Sequence, residues 1–455
     1  MSQRNLAWLL VVPALVLVGA VISATAPPPE KDYKLVRTVV DVLAEVDKNY
    51  VRELTDDDKK KLVEDMIHGG LSRLDPHSTY FNEEDLQQFT NDTEGKFGGI
   101  GAYLSLHPQL QILMVDSPMV GTPAFEAGLQ SGDLIYKIDD KSTENLRVDE
   151  ARALIKGAPG TKLVLNVLRI GSQKLEDVPL MRAEIKILAV RGSARDPGDW
   201  AKWDYLADKE NKIALIRLSA FNEHTGEELK AAVQEAEQAG AKAMILDMRS
   251  NPGGLLSQAV YISDLFLTSG KIVSTKDRTG TGRKWEAKKE GTVFEPASER
   301  PMAVLVNSDS ASASVIVAAA LQDNGRAVIV GERSYGKGSV QKVFELSDRK
   351  SAVKLTAEVW LTPNGKNIHR WPTSKITDDW GVRPDDGLEV KLNLEDRRQH
   401  ILAVNQLDKI KSKSEAPKTN PDEPKYDPNF KDKTLEKALE HLRKKLATGP
   451  ERKPS

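Results

Sequence analysis

The sequence predicts an α/β fold with helical regions at both ends and a separate β-rich module between them. Short apolar strands alternate with helical stretches from Ile213 to Gly331, the pattern of a sheet covered by helices. Helical periodicity marks Lys31 to Asn91 and Lys433 to Ala447, and a glycine-punctuated run of alternating strands fills Lys96 to Glu184. At 455 residues the chain has room for about two to four domains. Its composition, 40% hydrophobic and 29% charged, is that of an ordinary globular protein. The net charge of −2 gives no reason to expect nucleic acid as a partner, because phosphate-backbone binding needs a concentrated basic surface. With no cysteine, disulfides, thiolate nucleophiles and thiolate metal sites are excluded together.

At the N-terminus Arg4 precedes an uncharged run from Leu6 to Ala26, about the length of a membrane span. It ends in Ala24-Thr25-Ala26, the small-x-small form of a cleavage site, followed by Pro27-Pro28-Pro29. Residues 1–26 are therefore expected to be a signal peptide or a membrane anchor. Either places the rest of the chain in the periplasm or elsewhere outside the cytoplasm. Residues 27–95 are expected to be helical, with Val36, Val39, Val40, Leu43 and Val46 on one face and a second helix over Leu62 to Leu74. The charged run Asp56 to Lys61 between them reads as a solvated face. Asp75-Pro76 ends the second helix, because a residue before proline leaves the α region. His77 has no second ligand at metal spacing, and a turn or capping role is expected for it.

The run from 96 to 186 opens on Phe97-Gly98-Gly99-Ile100-Gly101, with strands expected over Ala102 to Leu106, Gln111 to Val115 and Lys162 to Leu168. Joined to Ala124-Phe125-Glu126-Ala127-Gly128-Leu129-Gln130-Ser131-Gly132-Asp133, it resembles a PDZ domain. In that fold consecutive backbone N–H groups make a nest for a peptide's terminal carboxylate, and the next strand pairs with the peptide. The resemblance makes Gly99, Ile100 and Gly101 the candidate tail-binding residues.

From 187 to 395 the expected order is strand Ile213 to Leu218, helix Glu223 to Gln238, strand Ala243 to Met248 and helix Leu255 to Leu267. Strand Met302 to Val306, helix Ala313 to Asp323 and strand Val328 to Gly331 follow. Ser310-Ala311-Ser312-Ala313-Ser314 then lies between a strand and a helix, and Lys337 follows the next strand. Both can meet at one edge of the sheet. A serine hydroxyl needs a partner to take its proton, and a lysine serves only if its own pKa is lowered by burial. Small neighbours permit that enclosure. The N–H of Ala313 at the helix start and a glycine of the turn Asn251-Pro252-Gly253-Gly254 are available to an oxyanion. Gln341 is within reach of Lys337. Asp323 lies at the far end of the helix, where an ion pair with Arg326 is the simpler role.

The ordered set Leu74-Asp75-Pro76-His77-Ser78, the PDZ pattern, Asn251-Pro252-Gly253-Gly254, Ser310 to Ser314 and Gly331 to Gln341 resembles the carboxy-terminal processing proteases of the tail-specific family. The resemblance spans Leu35 to Leu394. It implies a ClpP/crotonase-like α/β protease core with an inserted PDZ domain, and a serine endopeptidase that cleaves exported polypeptides with accessible C-termini. By the family's motifs Ser312 is the nucleophile, Lys337 the base and Gln341 the residue that orients it. Ala313 with Gly253 or Gly254 holds the oxyanion, and Asp323 falls at a position sometimes counted in the catalytic group. No metal or organic cofactor is implied. Two positions depart from the pattern: Val315 stands where the family commonly has Glu, and Ser250 where it commonly has Asn.

Residues 396–455 are expected to be a charged linker, poorly packed from Arg397 onward and carrying Pro417, Pro421, Pro424 and Pro428, and then a helix. Leu435, Leu439, Leu442 and Leu446 give that helix an apolar face for docking or oligomerisation. A homo-oligomer and an adaptor protein are the further partners expected. The rival reading is an inactive PDZ scaffold that binds peptides. The presence of both Ser312 and Lys337 argues against it, and no Gly-x-Ser-x-Gly elbow or catalytic histidine motif supports a Ser-His-Asp hydrolase.

Overall fold

The computed structural model describes residues 30–107, 109–172, 174–196, 198–199, 201–408 and 426–448. The expected signal or anchor over 1–26 and most of the proline-rich linker lie outside the described residues. Among those described, no helix is long and apolar enough to cross a membrane. The chain divides into two compact units, 1–74 and 75–455.

The first unit holds helices Glu30–Asn49 and Asp56–Ser72. The second begins six residues earlier than its apolar periodicity suggests, because Thr55 caps it: its hydroxyl accepts from Asp58 N at 3.1 Å, and Asp58 Oδ2 accepts from Thr55 N at 3.0 Å. The acidic residues read as a solvated face therefore form the first turn, where they complement the helix dipole. Leu35, Val36, Val39 and Val40 on the first helix stay exposed.

In the second unit, an antiparallel sheet orders Ala102–Leu106, Leu113–Pro118, Leu134–Ile138, Lys162–Leu168 and Leu175–Met181 side by side. The second of these strands lies two residues beyond its expected start. Alternate residues such as Leu113, Val115, Leu163, Leu165 and Val167 point into one core with Leu104 and Ile135. Strand Lys96–Gly99 pairs antiparallel with Ala183–Lys186, so the chain enters and leaves this module through adjacent strands.

The central sheet aligns Ile213–Leu218, Ala243–Asp247, Met302–Val306 and Val328–Gly331 in parallel. Their near-continuous apolar sequence reflects burial on both faces. One face, through Ala214, Ile216, Met244, Leu246 and Val304, packs on helices Thr225–Gln238, Leu256–Phe266 and Ala313–Asp323. The other, through Ile213, Leu215, Ile245, Ala303 and Leu305, is covered by helix Lys433–Thr448. The C-terminal helix is thus docked within its own chain. An antiparallel sheet built on Ala352–Leu361 carries Ser339–Glu345 on one side and Thr79–Phe81 and Lys271–Asp277 along its other edge.

The linker expected from Arg397 onward starts as a helix, Leu394–Asp408, in which Gln399 and His400 are buried. Charge misled the reading there, because the polar side chains have partners inside the protein. Arg249, buried after strand Ala243–Asp247, donates through Nη2 to Asp247 Oδ2 at 2.7 Å and to Asp432 Oδ2 at 2.8 Å. His400 Nδ1 lies 3.4 Å from the same Asp432 oxygen. Burial alone would raise the Asp432 pKa, yet Arg249 and His400 hold it well below the usual carboxylate range. Asp432 also accepts from Leu435 N at 3.0 Å, so one carboxylate caps the C-terminal helix and fixes it to the sheet.

Leu442 is fully buried against the sheet. Leu442→Ala should lower stability by about 2–5 kcal/mol, read as a shift of the urea midpoint. An unmoved midpoint would mean that this helix adds no packing.

Candidate active site

Strand Met302–Val306 runs into a tight turn before helix Ala313–Asp323, and Ser312 occupies the cap position with φ +54° and ψ −119°. Residues with a side chain rarely adopt that conformation, and holding it costs about 1–3 kcal/mol. The surroundings enforce it. Ala311 N and Ser314 Oγ both donate to the carbonyl of Asn251, at 3.0 and 2.9 Å, and Ser310 Oγ donates to Met248 O at 2.8 Å. Ser312 itself makes no capping bond, so its hydroxyl is left for other work. Val315, in place of the expected Glu, is buried in the core beneath the turn. Ser250 has φ +57°, and its hydroxyl accepts from Asn307 Nδ2 at 3.1 Å while its N–H donates to Asn307 Oδ1 at 2.8 Å.

Gly253 faces this turn with φ +97°, and a β-carbon on it would lie 2.7 Å from Ser312 Cβ and 2.8 Å from Ala313 N. Only glycine fits there. Its own N–H donates to Asn251 Oδ1 at 2.9 Å, which removes Gly253 as an oxyanion donor in this state. Gly254 N–H and Ala313 N–H have no acceptor among the described residues. Gly253 instead supplies the space beside Ala313 N.

Lys337 is carried between two glycines that the 367–370 segment presses against. A β-carbon on Gly338 would lie 2.7 Å from His369 N, and one on Gly336 2.9 Å from Arg370 Cβ. Trp360 Nε1 donates to the Lys337 carbonyl at 3.0 Å, and Trp360 N to that of Gly338 at 2.9 Å. The side chain is part-buried. Burial, reinforced by the charge of Lys354 and opposed by Asp75, brings its pKa below the ordinary lysine value.

Ser312, Ala313, Gly253, Gly254, Lys337 and Gln341 all line one cleft of ≈ 610 Å³. No histidine lines it, which separates this site from a Ser-His-Asp arrangement. No hydrogen bond among the described residues joins Lys337 Nζ to Ser312 Oγ. Such bonds are often long in a free enzyme and tighten when substrate binds.

The other expected residues fall as follows. Gln341 is in the cleft, but its amide donates to Ser339 Oγ at 3.0 Å and Thr356 Oγ1 at 3.1 Å rather than meeting Lys337. Asp323 ends an 11-residue helix, about 15 Å from Ser312 along the axis. It accepts from Asn364 N at 3.1 Å, while Arg326, the partner expected for it, donates to the carbonyls of Phe266, Phe294 and Arg300. Asp323 is a loop anchor here. The Ile100 side chain belongs to the core of the β-rich module, its carbonyl accepts from Ala124 N at 2.9 Å, and Gly99 pairs with Ala183. Gly101 has φ +74°, and its carbonyl accepts from Met119 N at 2.9 Å.

Three residues near the site escaped the sequence reading. Asp75 and His369 line a second cavity of ≈ 390 Å³ that Lys337 also lines, and Lys354 lines the larger cleft. Asp75 was legible as a helix stop and as part of the Leu74 to Ser78 motif, with no site role attached to it. His369 and Lys354 come from distant sequence with no motif to mark them.

Residues 212–386 match the model of peptidase family S41, and residues 114–169 that of a PDZ domain. A carboxy-terminal-processing protease of Bartonella bacilliformis is 35% identical over 403 residues, covering 85% of this chain and 85% of the relative. The carboxy-terminal processing protease CtpA of Bacillus subtilis is 39% identical over 70% of this chain and 63% of its own length. A carboxyl-terminal-processing protease of Synechocystis is 36% identical over 71% and 70%. The chain belongs to the carboxy-terminal-processing protease family, within the S41 peptidases. It is a serine-type peptidase with a PDZ domain.

Gly253→Ala should lower kcat about 100-fold or more, since the methyl group would intrude on the Ala313 donor. Steady-state cleavage of an unfolded protein, with circular dichroism to confirm the fold, measures this. Near-normal turnover would remove Gly253 from the site.

Proposed function

We propose that the chain is an endopeptidase using Ser312 and Lys337 as a dyad, in a core of ClpP/crotonase type, with the PDZ domain receiving the substrate's C-terminus. One observation carries the reading: the strained serine and the desolvated lysine line the same cleft, beside two unused backbone donors. Neutral Lys337 takes the Ser312 proton as the oxygen attacks a peptide carbonyl. Ala313 N–H and Gly254 N–H hold the oxyanion. The Lys337 ammonium gives the proton to the leaving amine. Neutral Lys337 then takes a proton from water as it attacks the acyl carbon, and passes it to Ser312 Oγ as the ester bond breaks. Gln341 steadies the wall of the cleft through Ser339 and Thr356.

The uncharged run Leu6 to Ala26 after Arg4 supports an exported catalytic portion, acting on polypeptides outside the cytoplasm. Exposed Leu35, Val36 and Val39 on the first helix support a homo-oligomer. An adaptor that delivers substrates is compatible with a tail-binding module.

Ser312→Ala and Lys337→Ala should each reduce cleavage of an unfolded protein by at least about 1,000-fold with circular dichroism unchanged. Activity within tenfold of wild type in either variant would defeat the dyad. A substrate stripped of its C-terminal residues should show kcat/KM reduced about tenfold or more. Equal rates on both substrates would remove the PDZ domain from recognition.

A further inference from the structure

Lys337 forms part of the wall of two cavities. The larger holds Ser312 and Lys354, and the smaller holds Asp75, His77 and His369. The Asp75 carboxylate is held by four donors: His77 N at 2.7 Å, Ser78 N at 3.0 Å, Ser78 Oγ at 2.6 Å and Thr356 Oγ1 at 3.1 Å. Thr356 Oγ1 in turn accepts from Gln341 Nε2 at 3.1 Å, so the turn bearing Asp75 is wired to the cleft. Four hydrogen bonds fix this carboxylate, and no cation forms an ion pair with it among the described residues. Lys354 is its counterpart. Its ammonium lies 5.1 Å from the Phe81 ring centroid and 5.7 Å from that of Phe89, with no carboxylate in ion-pair contact among the described residues.

We propose that Asp75 and Lys354, one in each cavity beside Lys337, are positioning residues that set the protonation of the catalytic base. Lys354 disfavours a second ammonium in the cleft and keeps Lys337 available as a neutral amine before attack. Asp75 favours the ammonium that forms once Lys337 has taken the Ser312 proton. The base is thereby balanced between its two states. This rests on the dyad reading. The directions of the Lys337 shift agree: burial lowers it, Lys354 lowers it further and Asp75 raises it.

Other charged groups face the two cavities. His77 and His369 are both held below the ordinary histidine value, by burial first and in part by Lys337, and are neutral where a lysine base works. Arg370, in the smaller cavity, stacks on Trp380 at 4.6 Å. Asp92, in the larger, accepts from Gln88 Nε2 at 2.6 Å. Tyr335 is exposed at the rim of the smaller one. None of these is itself a cationic or anionic partner held on Lys337.

The acid limb of the kcat/KM profile of the whole enzyme on an unfolded protein tests this, because activity rises as Lys337 loses its proton. Asp75→Asn keeps the shape of the turn and should move the limb to lower pH by about half a unit or more. Lys354→Met should move it to higher pH by a similar amount. Should Asp75→Asn fail to fold, Lys354→Met decides alone. Limbs that coincide with wild type, or that move in the same direction, overturn the proposal while an inactive Lys337→Ala leaves the dyad standing. If Lys337→Ala remains active, the dyad reading falls first and this inference with it.

Discussion

The enclosure of the Lys337 ammonium in the wall of a cleft that Ser312 also lines is the constraint around which this part of the second unit is organised. An amine in water is protonated and useless as a base at neutral pH, and only removal of solvent or a neighbouring cation changes that. Both influences act on Lys337. The chain achieves the enclosure by pressing the 367–370 segment against Gly336 and Gly338 and by pinning the backbone with Trp360. Trp360 is fully buried, so the same side chain fills the core and holds the Lys337 backbone.

The Ser312 turn is tied by hydrogen bonds to the residues that follow the neighbouring strand. Its hydrogen bonds run to Asn251 and Met248, which follow strand Ala243–Asp247. That strand ends at the buried Asp247–Arg249–Asp432 cluster. Removing one member of such a cluster leaves an uncompensated charge, a larger penalty than the pair's net contribution. The C-terminal helix is therefore connected through strand Ala243–Asp247 to the Ser312 turn, although it lies on the opposite face of the sheet from helix Ala313–Asp323.

Most of the central sheet was legible because its strands are buried on both faces and its helices have one apolar stripe. Strand Met302–Val306 and helix Ala313–Asp323 have the expected bounds. Asp56 to Asp58 are solvent-facing as expected, and the helix start was missed because it depends on the Thr55 cap. The charged stretch beginning at Arg397, by contrast, was read as a linker and is part of a helix with buried Gln399 and His400. At the site, Ser312, Lys337 and Gln341 were legible through motif and local order. The hydrogen-bonding commitments of Gly253, Gln341 and Asp323 were not, because each depends on a partner fixed by the turn or the tertiary fold: Asn251, Thr356 and Asn364. Asp75 is placed at the site by the pairing of Thr79–Phe81 with Ala352–Leu361, and Lys354 by the pairing of that strand with Ser339–Glu345.

The protonation behaviour of Lys337 is the most direct measure of this account. Trace acetylation of Ser312→Ala enzyme across a pH series, with mass spectrometry of each lysine-containing peptide, reports the pH at which each amine becomes reactive. Lys337 is predicted to reach half-reactivity below the exposed lysines, whose ordinary value is about 10.4. An inflection at or above theirs would show an amine that is protonated when the serine must lose its proton, and would contradict the account.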